Sequence, residues 1–456
     1  MSFTNTISRL LNSPAFKFVL VIILILALTI PLLFAYLLVA ERQSYARQAR
    51  AEVGQMWGRE QTIRGPYIVV PLTYEKEFRN RDVVERRKIR EFAVFLPEEL
   101  NIRSDVEGEV RRRGIFNVPV YRSVTRFEGR FEKPVLRSFQ QPDLTLEWAE
   151  AALVVTLNDV RGIKKTAELI LDNGAGREKF RAGVGVASNG RVPGIHVPLT
   201  GEQAQSGFAF AFDLSLNGSS HIRYIPAGGE TSVAIKSDWP HPSFAGAYLP
   251  ENRKISDAGF AADWKVPRLA RGIGQSIRLK QFRHLMTSKS FGVDFYQPVR
   301  FYSLAERALK YAMGFIGIIF LAVFIMEIQS RKRVHWIQYL FVGLALVIFY
   351  LVLIGTAEHI GFDLGYLFAA LATSILVGTY FAAVVRSHRR GLYLGSVIAV
   401  IYGLLYLLLR VEDYAMLIGS ISVFALLAVV MFATRDVDWS RGSISEQSDF
   451  DERPTT

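Results

Sequence analysis

Apolar residues run almost unbroken from Phe18 to Ala40, then give way to roughly 265 residues of short alternating runs, and five further long apolar runs follow Lys310. A bilayer core of about 30 Å requires about 20 apolar residues per helix, so each of the six runs predicts a membrane span. The later five cover 309–328, 336–355, 364–385, 392–409 and 414–434. The first run is longer than the ~7 to 15 residues of a secretory signal core, and no small-residue cleavage site follows it. It is therefore expected to stay as a signal anchor over 18–40.

Between the anchor and the later spans the pattern changes twice. Glu41 to Gln61 lacks proline and is rich in Ala, Arg, Gln and Glu, which favours a helix continuing from the anchor. From Pro66, short Val/Ile/Phe/Tyr runs broken by Gly, Pro, Asn and Asp predict strands, among them 67–73, 89–96, 106–113, 118–131, 151–157, 208–216, 220–225 and 231–237. Asn217-Gly218 between two of these predicts a hairpin turn. The fold class is thus a membrane α+β protein: one N-terminal signal-anchor helix, a large β-rich extramembrane domain over 41–308, and a C-terminal five-helix bundle over 309–434. Residues 435–456 are polar and acidic, a composition expected of a disordered tail.

Val70-Pro71-Leu72-Thr73 recurs as Val197-Pro198-Leu199-Thr200, and Phe95-Leu96-Pro97-Glu98 recurs as Tyr248-Leu249-Pro250-Glu251. Two readings stand: chance matches among common residues, or a duplication that would divide the domain into related β lobes at 62–180 and 181–300.

Charge sets the expected orientation. Arg9 and Lys17 precede the first span, Arg331, Lys332 and Arg333 lie between the second and third, and Arg386, Arg389 and Arg390 lie between the fourth and fifth. Basic residues in short loops resist translocation, so residues 1–17 and the C-terminal tail are expected in the cytoplasm, with 41–308 in the periplasm of a bacterial inner-membrane protein. The chain carries a net charge of +12, and residues 41–305 supply +10 of it, 40 basic against 30 acidic. That surplus suits anionic envelope components as partners besides the lipid bilayer, and equally suits ordinary solubility. Nucleic acid is not an expected partner.

Candidate chemistry is sparse. There is no cysteine, hence no disulfide, thiolate metal site or cysteine nucleophile. Gly174-Ala175-Gly176 and Gly183-Val184-Gly185 lack a dinucleotide fingerprint, no phosphate-loop G-K-[ST] occurs, and the seven histidines show no H-x-x-x-H spacing. No cofactor, metal or catalytic residue is therefore expected. Two stretches remain as candidate functional surfaces. In Trp239-Pro240-His241-Pro242-Ser243-Phe244 two prolines hold the chain extended, which fits either a ligand contact at His241 or a corner whose Trp239 and Phe244 plug a core. Glu358-His359 lies at a span end, as do Glu306, Arg307 and Lys310, while Glu327 lies near the opposite end of its span. Each can reach the interface, so an ion relay is allowed but not required. Gly343, Gly355, Gly378 and Gly403 suit close helix packing.

Several stretches together are similar to the inner-membrane CreD family, also described as cell envelope integrity proteins. They include Gly65-Pro66 through Thr73, Gly114-Ile115-Phe116 through Tyr121, Asp159 to Ile163, Gly194 to Leu199, the Trp239 to Phe244 stretch, Glu306-Arg307, Gln338 to Leu344, Glu358 to Phe362, and Thr434 to Trp439. Trp336 and Arg300 depart from residues common in the family. The resemblance implies a place in a two-component regulon linked to envelope stress, with effects on envelope integrity, colicin tolerance and β-lactam response. It carries over no catalytic residue. A non-enzymatic envelope role through the periplasmic domain is the expected function, with a transporter or lipid-handling role of the bundle as the alternative.

Overall fold

The structure is a computed structural model that describes residues 14–80, 83–136, 139, 143–172, 176–185, 192–286, 288–295, 301–330, 334–411 and 415–434. The expectations for the tail after Thr434, for Arg9, for Arg331 to Arg333 and for Arg300 fall outside them. Two compact units form: Met1–Tyr45 with Val299–Thr456, and Ala46–Pro298.

The anchor run forms α1 (Pro14–Ala27) and the start of α2 (Thr29–Trp57), whose residues from Ala46 on belong to the second unit. The helix is interrupted at Leu28 because Pro31 has no N–H to bond the Ala27 carbonyl. Within the second unit lie the short helices α3 (Gly201–Ser206), α4 (Arg268–Arg271) and α5 (Leu279–Met286). The first unit then continues with α6 (Phe301–Ser330), α7 (Trp336–Ile360), α8 (Phe362–Val385), α9 (His388–Arg410) and α10 (Ala415–Thr434). Five helical segments among the described residues are long and apolar enough to cross a membrane: Val19–Trp57, Phe301–Glu327, Trp336–Ile360, Phe362–Val385 and His388–Arg410. Ala415–Thr434 is a further apolar helix of 20 residues.

Small residues allow a close crossing in the bundle. A Cβ added at Gly391 of α9 would lie 2.3 Å from Ala382 Cβ and 2.5 Å from the Gly378 carbonyl of α8, so these backbones approach as only small side chains permit. Gly343 likewise lies against Leu28 and Phe320. Gly355 and Gly403, by contrast, face open space and do not mediate packing.

Among the described residues the second unit has eighteen strands. They are β1 (Gln61–Asn80), β2 (Val83–Phe95), β3 (Glu99–Arg113), β4 (Phe116–Phe131), β5 (Thr145–Leu146), β6 (Ala152–Thr156), β7 (Glu168–Leu171), β8 (Gly176–Lys179) and β9 (Arg181–Ala182). After them come β10 (Gly194–Pro198), β11 (Phe208–Ser219), β12 (His221–Ile225), β13 (Glu230–Ser237), β14 (Pro242–Gly246), β15 (Asn252–Ser256), β16 (Gly259–Val266), β17 (Ser276–Arg278) and β18 (Phe291–Phe295). One ten-stranded sheet runs β14-β18-β12-β1-β6-β10-β9, with β2 and β5 also paired to β1 and β17 to β2; the other, of eight strands, runs β15-β16-β13-β3-β4-β11-β7-β8. Both sheets contain strands from 62–180 and from 181–300, so a division between those segments cuts through each of them.

The sheets face each other across one core, because β3 buries Leu100, Ile102, Ser104 and Val106 on one face while Asn101, Arg103 and Asp105 stay in water. Tyr121, Phe127, Phe131, Phe212, Tyr224, Trp264 and Phe291 fill this core. On the outer side of the ten-stranded sheet, α5 lays Phe282 against Tyr67 with ring centroids 4.9 Å apart.

Asn217-Gly218 does not form the hairpin expected of it. Both residues continue β11, pairing with Arg122 and Tyr121 of β4, and the chain then turns at Ser220, φ 63°, to enter the other sheet as β12. Glycine is required at 218 for space: a Cβ there would lie 2.3 Å from the Tyr121 ring.

Candidate functional surfaces

The Trp239 to Phe244 stretch is a corner between the sheets, and its side chains divide between core and water. Asp238 turns back to accept the Gly108 N–H at 2.7 Å, which closes the end of β13. Trp239 then enters the core, edge-on to Phe295 at 6.1 Å. Pro242 opens β14 on the sheet edge, the place where a missing N–H costs no ladder bond. Phe244 is half-buried between Phe260 and Trp264, at 5.7 and 5.8 Å. Pro240 is half-buried as well, whereas His241 and Ser243 are exposed. Only His241 and Ser243 of the six are thus fully offered to a partner.

Glu358 and His359 separate in the same way. The helices α6 to α9 alternate in direction, so the start of α6, the end of α7, the start of α8 and the end of α9 meet at one end of the bundle. There Glu358 is 10% exposed, accepts a hydrogen bond from the Tyr302 hydroxyl at 3.0 Å, and faces Arg42 of α2 at 3.7 Å. Beside it Gln43 donates to Glu306 at 3.1 Å, and Glu306 pairs with Lys310 at 3.0 Å. Asp363 bonds Tyr406 at 2.9 Å and pairs with Arg410. His359 is exposed. At the opposite end Glu327 does not reach outward as its position allowed: it is buried, and its carboxylate accepts from the Val334 N–H and the Tyr339 hydroxyl, both at 2.9 Å, which ties α6 to the start of α7.

A further polar knot was missed by sequence reasoning. Buried Asp159 caps a short 3-10 turn and accepts from the Arg161 N–H at 3.1 Å and from its guanidinium at 2.9 Å through two nitrogens. Gln61, buried at the start of β1, donates to the Asp159 carbonyl at 2.9 Å. The Arg161 hydrogen bond, with the backbone N–H of Arg161 and of Arg59, outweighs burial and holds the Asp159 carboxyl below the usual range. Nearby His221 is pushed down by burial and then by Arg223, against the pull of Glu60 and Asp294. The Asp-x-Arg spacing beside a buried Gln is a local capping signal.

Among the described residues no cluster of three or more His, Cys, Asp or Glu is placed to hold a metal ion. These arrangements position chain and helix ends, and the groups they leave free lie on surfaces.

A family model described as "Inner membrane protein CreD" matches residues 13–440. The chain belongs to the CreD family. It is 30% identical over 434 residues to the inner membrane protein CreD of Escherichia coli (strain K12), an alignment that covers 94% of this chain and 95% of that protein. Together with the apolar helices, CreD membership makes this a multi-pass inner-membrane protein. The CreD match takes in both units, the β-sheet domain as well as the bundle.

Proposed function

We propose that the protein supports cell envelope integrity, or the response to envelope stress, as a non-enzymatic contact protein whose β domain stands in the periplasm and whose termini lie in the cytoplasm. The observation that carries this reading is the aromatic packing between the two sheets among the described residues. Aromatic side chains occupy the space between the sheets, so what the domain offers a partner is surface. Its basic surplus of 40 against 30 charged residues over 41–305 favours anionic envelope components. The basic short loops around the spans support the orientation.

The test is in-cell photocrosslinking from His241 in the full-length chain, followed by identification of the adduct. An envelope lipid, wall fragment or envelope protein is expected; capture of cytoplasmic components alone would contradict the reading. A transporter or lipid-handling role of the bundle is favoured by one observation, the nearly buried Glu358 carboxylate facing Arg42 at the bundle end. Unchanged envelope phenotypes in a chain carrying Glu358→Ala with His359→Ala would count against that second role.

A further inference from the structure

The β3–β4 hairpin ends in Arg111-Arg112-Arg113-Gly114-Ile115-Phe116, with Gly114 and Ile115 as its two turn residues. Gly114 takes φ 58° at the first central position, the requirement of a type II′ turn, and this two-residue Gly-X loop is the sequence signal for the hairpin. The tip combines cation and hydrocarbon. Arg112 and Arg113 are exposed, and the flanking Val110 and Ile115 are 47% and 48% exposed.

Contacts with the end of α2 fix the direction in which the tip points. Trp57 donates to the Tyr121 carbonyl at 3.2 Å and lies under the Arg111 guanidinium at 3.7 Å. Val53 packs on Val118 and Val120, and Glu52 accepts from Arg113 at 3.1 Å. Reading α2 backwards from Trp57 to Glu52 therefore moves along the hairpin from its stem to its tip. The tip lies on the side where the domain's chain enters at Ala46, a few residues after the apolar run ends at Ala40. Of the acids here, Glu52 is taken by Arg113, Glu109 lies between Arg111 and Arg122 at 3.2 and 3.3 Å, and Glu107 stands across the ladder from Arg122, farther from the tip. Among the described residues Arg112 has no acidic partner, and exposed Arg47 stands on the same stretch of helix.

We infer that the β3–β4 hairpin tip is a docking surface for the anionic headgroups of the bilayer in which the chain is anchored, with Arg112 and Arg113 at the phosphates and Ile115 at the headgroup–acyl boundary. Charge complementarity selects this occupant, and an exposed β-branched side chain between arginines adds apolar contact that a purely polar polymer would not repay. The inference rests on the proposed role of the domain as a contact surface, and names one partner for it.

The absence of cysteine allows a direct test on the full-length chain. Ile115→Cys, labelled with an environment-sensitive fluorophore, is reconstituted in vesicles of phosphatidylcholine alone or with phosphatidylglycerol, each carrying acyl-chain spin-label quencher. The expected result is strong quenching in the anionic vesicles and weak quenching in the zwitterionic ones. Arg112→Ala should lower the partitioning of the tip about fivefold, the effect of one basic residue at an anionic surface. Leu269→Cys, a 93% exposed site in the same unit, serves as the reference. Quenching at 115 no greater than at 269 in both vesicles would overturn the inference. So would a response at 115 elicited by a soluble anionic polysaccharide in phosphatidylcholine but not by phosphatidylglycerol. Either failure leaves the His241 crosslinking test of the broader role unaffected.

Discussion

Gly218 lies flat against the ring of Tyr121, and the Tyr121 hydroxyl donates to the His221 carbonyl at 2.8 Å. One contact thus ties the end of β11, in the eight-stranded sheet, to the start of β12, in the ten-stranded sheet. A methyl group at 218 would fall 2.3 Å from Tyr121 Cζ and force that ring off its site. Gly218→Ala is expected to destabilise the domain by about 1–3 kcal/mol, as overpacking does. Thermal melting of the purified chain would show it, and an unchanged midpoint would mean that the sheets are not joined through this ring.

The same position shows how far the sequence was legible. Asn217-Gly218 carries a strong local hairpin signal, yet the ladder to Arg122 and Tyr121 overrides it because the glycine makes room for a ring on a distant strand. The strands at 67–73, 89–96, 106–113 and 118–131 are legible because Val, Ile, Phe and Tyr recur in short runs between turn residues, and within 118–131 buried and exposed positions also alternate from Tyr121 to Phe127. Which sheet each strand joins was not readable, since that depends on crossovers such as the one at Ser220. At the candidate sites, Trp239 and His241 differ by two positions and end in core and water respectively, a division set by the Asp238 bond to Gly108 rather than by residue type. Gly355 and Gly403 resemble Gly378 in sequence, but only Gly378 faces another helix closely.

Acid should weaken the extramembrane domain in two stages. Burial, then Arg223, lower the folded pKa of His221 below the unfolded one, so the stability it contributes is present above about pH 6.5 and is lost as pH falls below that value. Asp159 is held charged, also with a lowered folded pKa, so its contribution is present above about pH 4 and is lost on further acidification. Denaturation midpoints measured against pH should therefore decline first below neutrality and again below about pH 4. Asp159→Asn should remove the second step and cost about 1.5–3 kcal/mol near neutral pH, the range for hydrogen bonds to a charged group. Persistence of the second step in that variant would contradict the assignment.

Gly391→Val is expected to separate α8 from α9, since even its Cβ would lie 2.3 Å from that of Ala382. Overpacking predicts a loss of about 1–3 kcal/mol or more, visible as a lowered melting midpoint in detergent. Gly403→Val, facing open space, should leave the midpoint nearly unchanged. Equal effects of the two would show that the helices do not cross at Gly391.

At the bundle end, Arg42→Ala would leave the nearly buried Glu358 with Tyr302 but without its cation. The expected cost is about 1–3 kcal/mol, as for a buried acceptor that loses a partner, and Glu358→Gln should relieve most of it. A double-mutant cycle on melting midpoints reads the coupling directly. Additive effects would mean that the two side chains do not act as a pair.

The most direct measurement concerns which side of the membrane holds the β domain. In the cysteine-free chain, Leu249→Cys marks a side chain that is 72% exposed in the domain, and Ser445→Cys marks the C-terminal segment. Spheroplasts treated with a membrane-impermeant maleimide should label position 249 at once and position 445 only after lysis. Labelling of 445 in intact spheroplasts, with 249 protected until lysis, would contradict a periplasmic domain and with it the proposed envelope contacts.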